Sequence, residues 1–240
     1  MSVFTHIHYH KVDGSPNQYA VLTLNRPKKA HAYHREMLCE IESYLLALQE
    51  TSDVCALVLQ SEGHRVFCSG ADLQEMKTVT PMTALQLQSE RIFALLEKLP
   101  CVTIAAIHGP AIAGGFEMTL ACDLRVISSD ANFSLPEVSL GLIPAAGGCV
   151  RLPHIIGITR SNSVILGGHV ITAEEAITWG LANVMTEAPR TYALQWAQKL
   201  AHFDRTALCF AKRVLAVSEP HKSHLQAKIF EGILYHRKTE

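Results

Sequence analysis

Apolar positions along this chain change period several times, and each change marks a new element. Residues 3–12 and 19–25 are strand-like, joined by Asp13-Gly14-Ser15-Pro16-Asn17, a strong turn signal, and Pro27 closes the second strand. Over 34–49 the residues Met37, Leu38, Ile41, Tyr44, Leu45 and Leu48 recur at helical spacing and predict an amphipathic helix. The near-continuous apolar run at 54–59 suits a strand in a sheet covered on both faces. Gly63 marks a turn, and a short strand leads into Cys68-Ser69-Gly70-Ala71-Asp72. Residues 74–82 read as a mobile connection, and 83–98 as a second amphipathic helix carrying Leu85, Ile92, Phe93, Leu95, Leu96 and Leu99 on or near its buried stripe. Pro100 stops that helix, and 102–107 is another buried strand.

The order strand, helix, strand, helix, strand argues an α/β fold with mainly parallel pairing. Ala113-Gly114-Gly115 opens a short helix to about Ala121, 124–127 returns as a strand, and 132–135 is a brief strand before Pro136-Glu137. Ile143-Pro144 begins another helical segment. Thr172-Ala173-Glu174-Glu175 has the form of a capping box, with its helix running to Trp179-Gly180. Residues 191–203, 206–217 and 222–236 look helical, with no strand between them. The expected organisation is an α/β core over 1–190 followed by a helical segment over 191–240.

Composition narrows the class. With 48% hydrophobic and 18% charged residues, 240 residues can bury a substantial core. A formal net charge of -1 gives no bulk reason to expect nucleic acid or an anionic membrane as partner. No apolar run approaches the roughly 20 residues that span a bilayer. The N-terminus lacks the apolar core of a secretion signal and the Arg-rich character of a transit peptide, and the seven scattered cysteines form no CxxC pair. The expectation is a cytoplasmic protein with reduced, mostly buried thiols and no zinc held through them. His6, His8 and His10 would share one face of a strand, a geometry open to a metal; a polar edge-strand face is the simpler reading, and no metal is expected.

Two glutamates stand out, Glu117 and Glu137, each set among glycines or apolar residues and outside any charge run. Desolvation disfavours the charged form of a carboxyl, so such groups can exchange protons near neutrality. Gly114-Gly115 at a helix start can offer a free backbone amide to an oxygen that becomes negative, or can simply permit tight packing. The chain has no phosphate loop, no GxGxxG opening a helix after a strand, and no GxSxG elbow. Cys68 has no assignable base, so a packed thiol is the plainer reading.

The segments FCSGADL, AIAGGFEMTLACDLRV, and FSLPEVSLGLIPAAGG with the RLP that follows closely resemble the crotonase (enoyl-CoA hydratase/isomerase) superfamily. The similarity runs from the N-terminal hairpin through TAEEAITWGLANVM. The resemblance implies a spiral of strand–strand–helix repeats with a C-terminal helical segment that supports trimerisation, and trimers or hexamers built of two trimers. It implies that the amides of Ala71 and Gly114 form an oxyanion hole for a thioester carbonyl, and that Glu117 and Glu137 are the acid–base pair of an enoyl-CoA hydratase. The family's spacings within both pairs are reproduced. It further implies that Lys28, Lys29 and Ala30, together with Gly70, Asp72 and Leu73, contact the CoA part of the substrate. CoA then arrives as part of the substrate, and no separate cofactor is expected. Residues 74–82 and the helix after them are expected to line the acyl pocket.

Two departures from the family pattern matter. Many relatives carry asparagine where this chain has His31, which implies different local hydrogen bonding. The chain also ends at Glu240, short of the final helix and tail many relatives extend, which implies a more open pocket or one completed by a neighbour. The fold hosts several chemistries. The alternatives are therefore an enoyl-CoA isomerase, in which Glu137 alone moves a proton between carbons, and a dehydratase or decarboxylase acting on a carrier-protein-bound acyl chain. A non-catalytic acyl-CoA-binding, scaffold or RNA-binding relative is a third, disfavoured by the near-neutral charge and the full catalytic set.

Overall fold

The computed structural model describes residues 4–76, 88–216 and 226–234. The expected acyl-pocket connection from residue 77 onward, and the start of the second helix with Leu85, lie outside the described residues. The hairpin forms as expected, with β1 (Thr5–Lys11) antiparallel to β2 (Gln18–Leu24). Helix α1 (Arg35–Glu50) follows, then β3 (Val54–Ser61), a helical turn α2 (Leu73–Met76), α3 (Gln88–Glu97) and β4 (Val102–Ile107). Next come β5 (Ala111–Ile112), α4 (Gly114–Leu120), β6 (Leu124–Ile127), β7 (Phe133–Ser134) and a 3₁₀ turn, Glu137–Leu140. Beyond it lie α5 (Gly148–Ile156), α6 (Ile158–Ile165), α7 (Ala173–Thr178), β8 (Val184–Met185), α8 (Pro189–Ala201) and α9 (Arg205–Leu215). Residues 226–234 are helical.

The main sheet has the order β1-β2-β3-β4-β6-β8, parallel everywhere except in the hairpin, so the chain is α/β as expected. The continuous apolar runs of β3 and β4 are explained by cover on both faces. Leu57, Leu59, Ala105 and Ile107 join the larger cluster with Met37, Ile41, Leu45, Ile92, Phe93 and Leu96 from α1 and α3. Cys55, Ala56, Val58, Ile104 and Ala106 face the other way, against Ala193, Ala197, Leu200 and Ala201 of α8. The alanine stripe of α8 brings its backbone close to the sheet, and no bulky side chain has to be fitted between.

Two local expectations need correction. The segment before Cys68 forms no strand, only a single bridge from Cys68 to Ala111. The helix expected from Ile143-Pro144 begins at Gly148, because Gly141 (φ +74) and Gly147 (φ +114) turn the intervening chain through left-handed backbone. Helix α6 and the short β8 carry signals too brief to register in the pattern. The capping box of α7 is present, with the Thr172 hydroxyl accepting from the Glu175 N–H at 3.2 Å and the Glu175 carboxylate accepting from the Thr172 N–H at 3.0 Å.

His6, His8 and His10 do lie on an edge strand. His6 meets the Asn25 amide at 2.8 Å and His10 stacks on Tyr19 at 4.9 Å. No cluster of three or more His, Cys, Asp or Glu among the described residues is arranged to hold a metal. No helix among them is long and apolar enough to cross a membrane.

Candidate active site

Backbone pairing alone gathers the motifs that are far apart in sequence. The small sheet β5-β7 is parallel, and the Ala113 N–H continues it by donating to the Ser134 carbonyl at 2.9 Å. The start of α4, which carries Glu117, is thereby tied to the strand that runs into Pro136-Glu137. On the other side of β5, the Ile112 N–H donates to the Cys68 carbonyl at 2.9 Å. The Cys68–Asp72 segment is held in turn by Tyr33, whose N–H donates to Gly70 O and whose carbonyl accepts from Asp72 N–H, both at 2.8 Å.

Glycine is required where these segments touch. A Cβ on Gly70 would stand 3.0 Å from the Gly114 nitrogen and from the Ala113 Cβ, and Gly70 has φ +92. One on Gly115 would fall 2.2 Å from the Cys68 carbonyl oxygen. So the glycines do permit packing, but the packing they permit lays residues 70–71 alongside the N-terminus of α4. The Gly114 N–H, first in its helix, has no intrahelical acceptor. The Ala71 N–H meets no acceptor among the described residues. The two amides assigned to the oxyanion hole are thus neighbours.

The carboxyls converge from opposite sides. Glu117 projects from the first turn of α4 and is 3% exposed; Glu137 opens the 3₁₀ turn and is 9% exposed. Burial is the main cause that lifts the Glu117 carboxyl to about 7, opposed by the Gly148 N–H donated to its Oε1 at 2.8 Å and reinforced by Glu137. Burial also raises Glu137, whose Oε2 has no hydrogen-bond partner among the described residues. Gly148 fits only as glycine, since a Cβ there would lie 2.8 Å from Pro144 Cβ and 3.1 Å from Glu117 Oε1. Arg151 braces the turn, donating to the Ala146 carbonyl at 2.9 Å and to Glu97 Oε2 at 2.8 and 3.1 Å.

The remaining candidates spread outward. Lys28 and Lys29 are exposed on a 3₁₀ turn, Pro27–Lys29, and Ala30 and His31 continue it at φ 48 and 53. Asp72 caps α2 through the Gln74 N–H (3.1 Å), which with Arg26 (3.1 Å) holds its carboxyl below the usual range. It is therefore an anchor of this loop to Arg26, while Leu73 begins α2. His31 accepts at Nδ1 from the Arg26 N–H (3.1 Å) and meets the Glu62 carbonyl at Nε2 (3.0 Å). Burial lowers its pKa, so the neutral ring both accepts and donates, as an asparagine amide would. Cys68 is packed as expected: burial pushes its thiol up to about 12, and its Sγ lies 3.2 Å from the His31 carbonyl.

Pattern reading gave no role to Tyr33 or Arg151. Tyr33 carries no motif signal, because only the pairing of residues 33 and 71 brings it to the site. Arg151 lies in the RLP triplet, but its bracing role depends on the turn at Gly147.

A family model described as "Enoyl-CoA hydratase/isomerase" matches residues 14–238. The short-chain-enoyl-CoA hydratase of Clostridium acetobutylicum is 36% identical over 170 residues, and the crotonyl-CoA hydratase of Syntrophomonas wolfei is 35% identical over 170. Each match takes in 70% of this chain but only 65% of the relative's own length. The crystal structure of an enoyl-CoA hydratase from Bacillus anthracis superposes with a TM-score of 0.91 at 28% identity, covering 98% of this chain and 92% of that one. Likeness in motif spacing, backbone course and sequence along most of the chain leads to one assignment: the chain belongs to the enoyl-CoA hydratase/isomerase family.

Proposed function

We propose that the chain hydrates a 2-enoyl-CoA thioester. Water adds its oxygen to the β-carbon and a proton reaches the α-carbon, so the carbon–carbon π bond and one O–H bond break while C–O and C–H bonds form. Negative charge gathers on the thioester oxygen between these events, and the Ala71 and Gly114 amides receive it. A preorganised donor of this kind is typically worth about 3–4 kcal/mol in the transition state. Glu117 takes the proton from water and Glu137 delivers one to carbon. Burial raises both carboxyls, Glu117 to about 7, so each can hold or release a proton during the reaction, and the division of roles is the one the family resemblance implies. The two titrate as a coupled pair.

The observation that carries this reading is two buried carboxyls on adjoining elements, one lifted to about 7 with the other acting on it, and two nearby amides that meet no acceptor among the described residues. An isomerase needs one such group, whereas hydration uses both. Lys28, Lys29, Ala30, Gly70, Asp72 and Leu73 form the approach for the CoA portion in this reading, and CoA leaves with the product. Exposed Leu140, Leu142, Ile143 and Val150 around the site support association into a trimer or hexamer; sedimentation as a stable monomer would contradict that. Glu137→Gln should abolish hydration of crotonyl-CoA with the fold intact, and near-wild-type turnover would end the proposal. Parallel incubation with a 3-enoyl-CoA separates hydration from isomerisation.

A further inference from the structure

We propose that the Tyr33 hydroxyl is a third donor to the thioester oxygen, a side-chain partner to the amides of Ala71 and Gly114. The inference rests on the oxyanion-hole reading above. Tyr33 touches both amide donors by different routes. Its backbone pairs with Gly70 and Asp72 at 2.8 Å on either side of Ala71. Its side chain reaches across to Gly114, where a Cβ would stand 1.8 Å from the Tyr33 hydroxyl oxygen and 2.7 Å from Cζ. The hydroxyl therefore rests against the Cα of Gly114, next to the nitrogen whose N–H is free.

The ring has little freedom to leave. Tyr33 is 5% exposed and meets the fully buried Phe93 edge-on, centroids 5.9 Å apart at 89°. A residue needed only for packing would do this with a leucine or phenylalanine and avoid the cost of burying a hydroxyl. The phenol instead sits among polar groups, with Ser89 of α3, Glu117 and then Glu137 near enough to act on it. Burial first, then Glu117 and Cys68, hold it protonated well above the usual tyrosine range. A phenol that keeps its proton is a donor and not a base, so proton transfer stays with the glutamates. Ser89 can fill a lone pair of the phenol oxygen, leaving the phenol proton for an oxygen in the site.

Tyr33→Phe tests this by removing one oxygen atom while keeping the ring. With crotonyl-CoA, kcat is expected to fall about 10- to 100-fold, with KM within about threefold, because the bond matters as charge develops. Two ligands separate that role from a structural one. Acetoacetyl-CoA can bind as its enolate, which absorbs in the near ultraviolet; in the variant the pH midpoint of bound-enolate formation should rise by about one unit, the equivalent of tenfold. Butyryl-CoA cannot enolise so readily and should bind the variant as it binds the wild type. Ser89→Ala, which leaves the ring untouched, should move the enolate midpoint the same way by a smaller amount. An unchanged midpoint and kcat in Tyr33→Phe would overturn the inference, as would equal weakening of both ligands. If the wild type hydrates no enoyl thioester, the hydration reading fails, while the enolate titration still decides the role of Tyr33.

Discussion

Glu117→Gln should stabilise this protein relative to the wild type by an amount that grows as pH rises, while removing its proposed water-activating group. The buried carboxyl ionises near 7 in the folded chain and near its ordinary 4.5 when exposed by unfolding. Between those values the folded state holds a proton that the unfolded state has released, so stability falls as pH rises. The stabilising contribution of the protonated group is complete below 4.5 and gone once pH has passed through about 7. At 1.36 kcal/mol per unit, the full change is about 3 kcal/mol at alkaline pH. Glutamine never ionises, and its Oε1 can keep the bond from the Gly148 N–H. Urea denaturation at pH 4 and pH 8 should give near-equal stabilities at the lower pH. At the higher pH the variant should be ahead by up to about 3 kcal/mol, or roughly 6–12 °C in melting temperature for a chain of this size. A difference that does not change with pH would refute the reasoning, since apart from the coupled Glu137 the ionisations elsewhere are common to both proteins.

Two other perturbations probe the frame of the site. Gly148→Ala places a methyl 2.8 Å from Pro144 and 3.1 Å from Glu117 Oε1, so the amide–carboxylate bond must lengthen. Activity on crotonyl-CoA should fall about 10- to 100-fold while circular dichroism stays native, and full activity would show that this bond is dispensable. Arg26→Met strips the half-buried Asp72 of its partner and the Ala32 carbonyl of its 2.6 Å donor. It should cost about 1–3 kcal/mol in urea denaturation, against less than 0.5 for a truly exposed pair.

The sheet was legible because β3 and β4 are buried on both faces, so nearly every residue in them had to be apolar. The helices α1, α3 and α7 announced themselves through a stripe or a capping box. What escaped were elements whose cause lies elsewhere in the chain. Helix α5 starts at Gly148 only because Gly147 turns at φ +114, which its neighbours in sequence do not dictate. β8 is two residues that pair with Val126 and Ile127. Glu117 and Glu137 were visible as charges without polar company, but Tyr33 carried no signal in the pattern. Its importance depends on a parallel bridge to Ala71, and a long-range pairing leaves no local trace.

The same distinction explains why glycine marks this site so clearly. Gly70, Gly114 and Gly148 stand where backbone amides must come within contact of another chain segment or of a carboxylate, and in each case a single Cβ would collide. Ala113, one residue before the free amide, departs from that rule: it is not glycine, yet it holds φ 52 and ψ -129. Such a conformation costs of order 1–3 kcal/mol and persists only when its surroundings over-determine it. Here they do, since the Ala113 N–H is fixed on Ser134 at 2.9 Å and its carbonyl accepts from Glu117 N–H at 3.0 Å. The bonds that impose the strain come from the strand leading to Glu137 and from Glu117 itself. Loosening Ala113 would therefore let the free amide at Gly114 and both carboxyls drift together, which makes the strained peptide the point where the geometry of the three is joined.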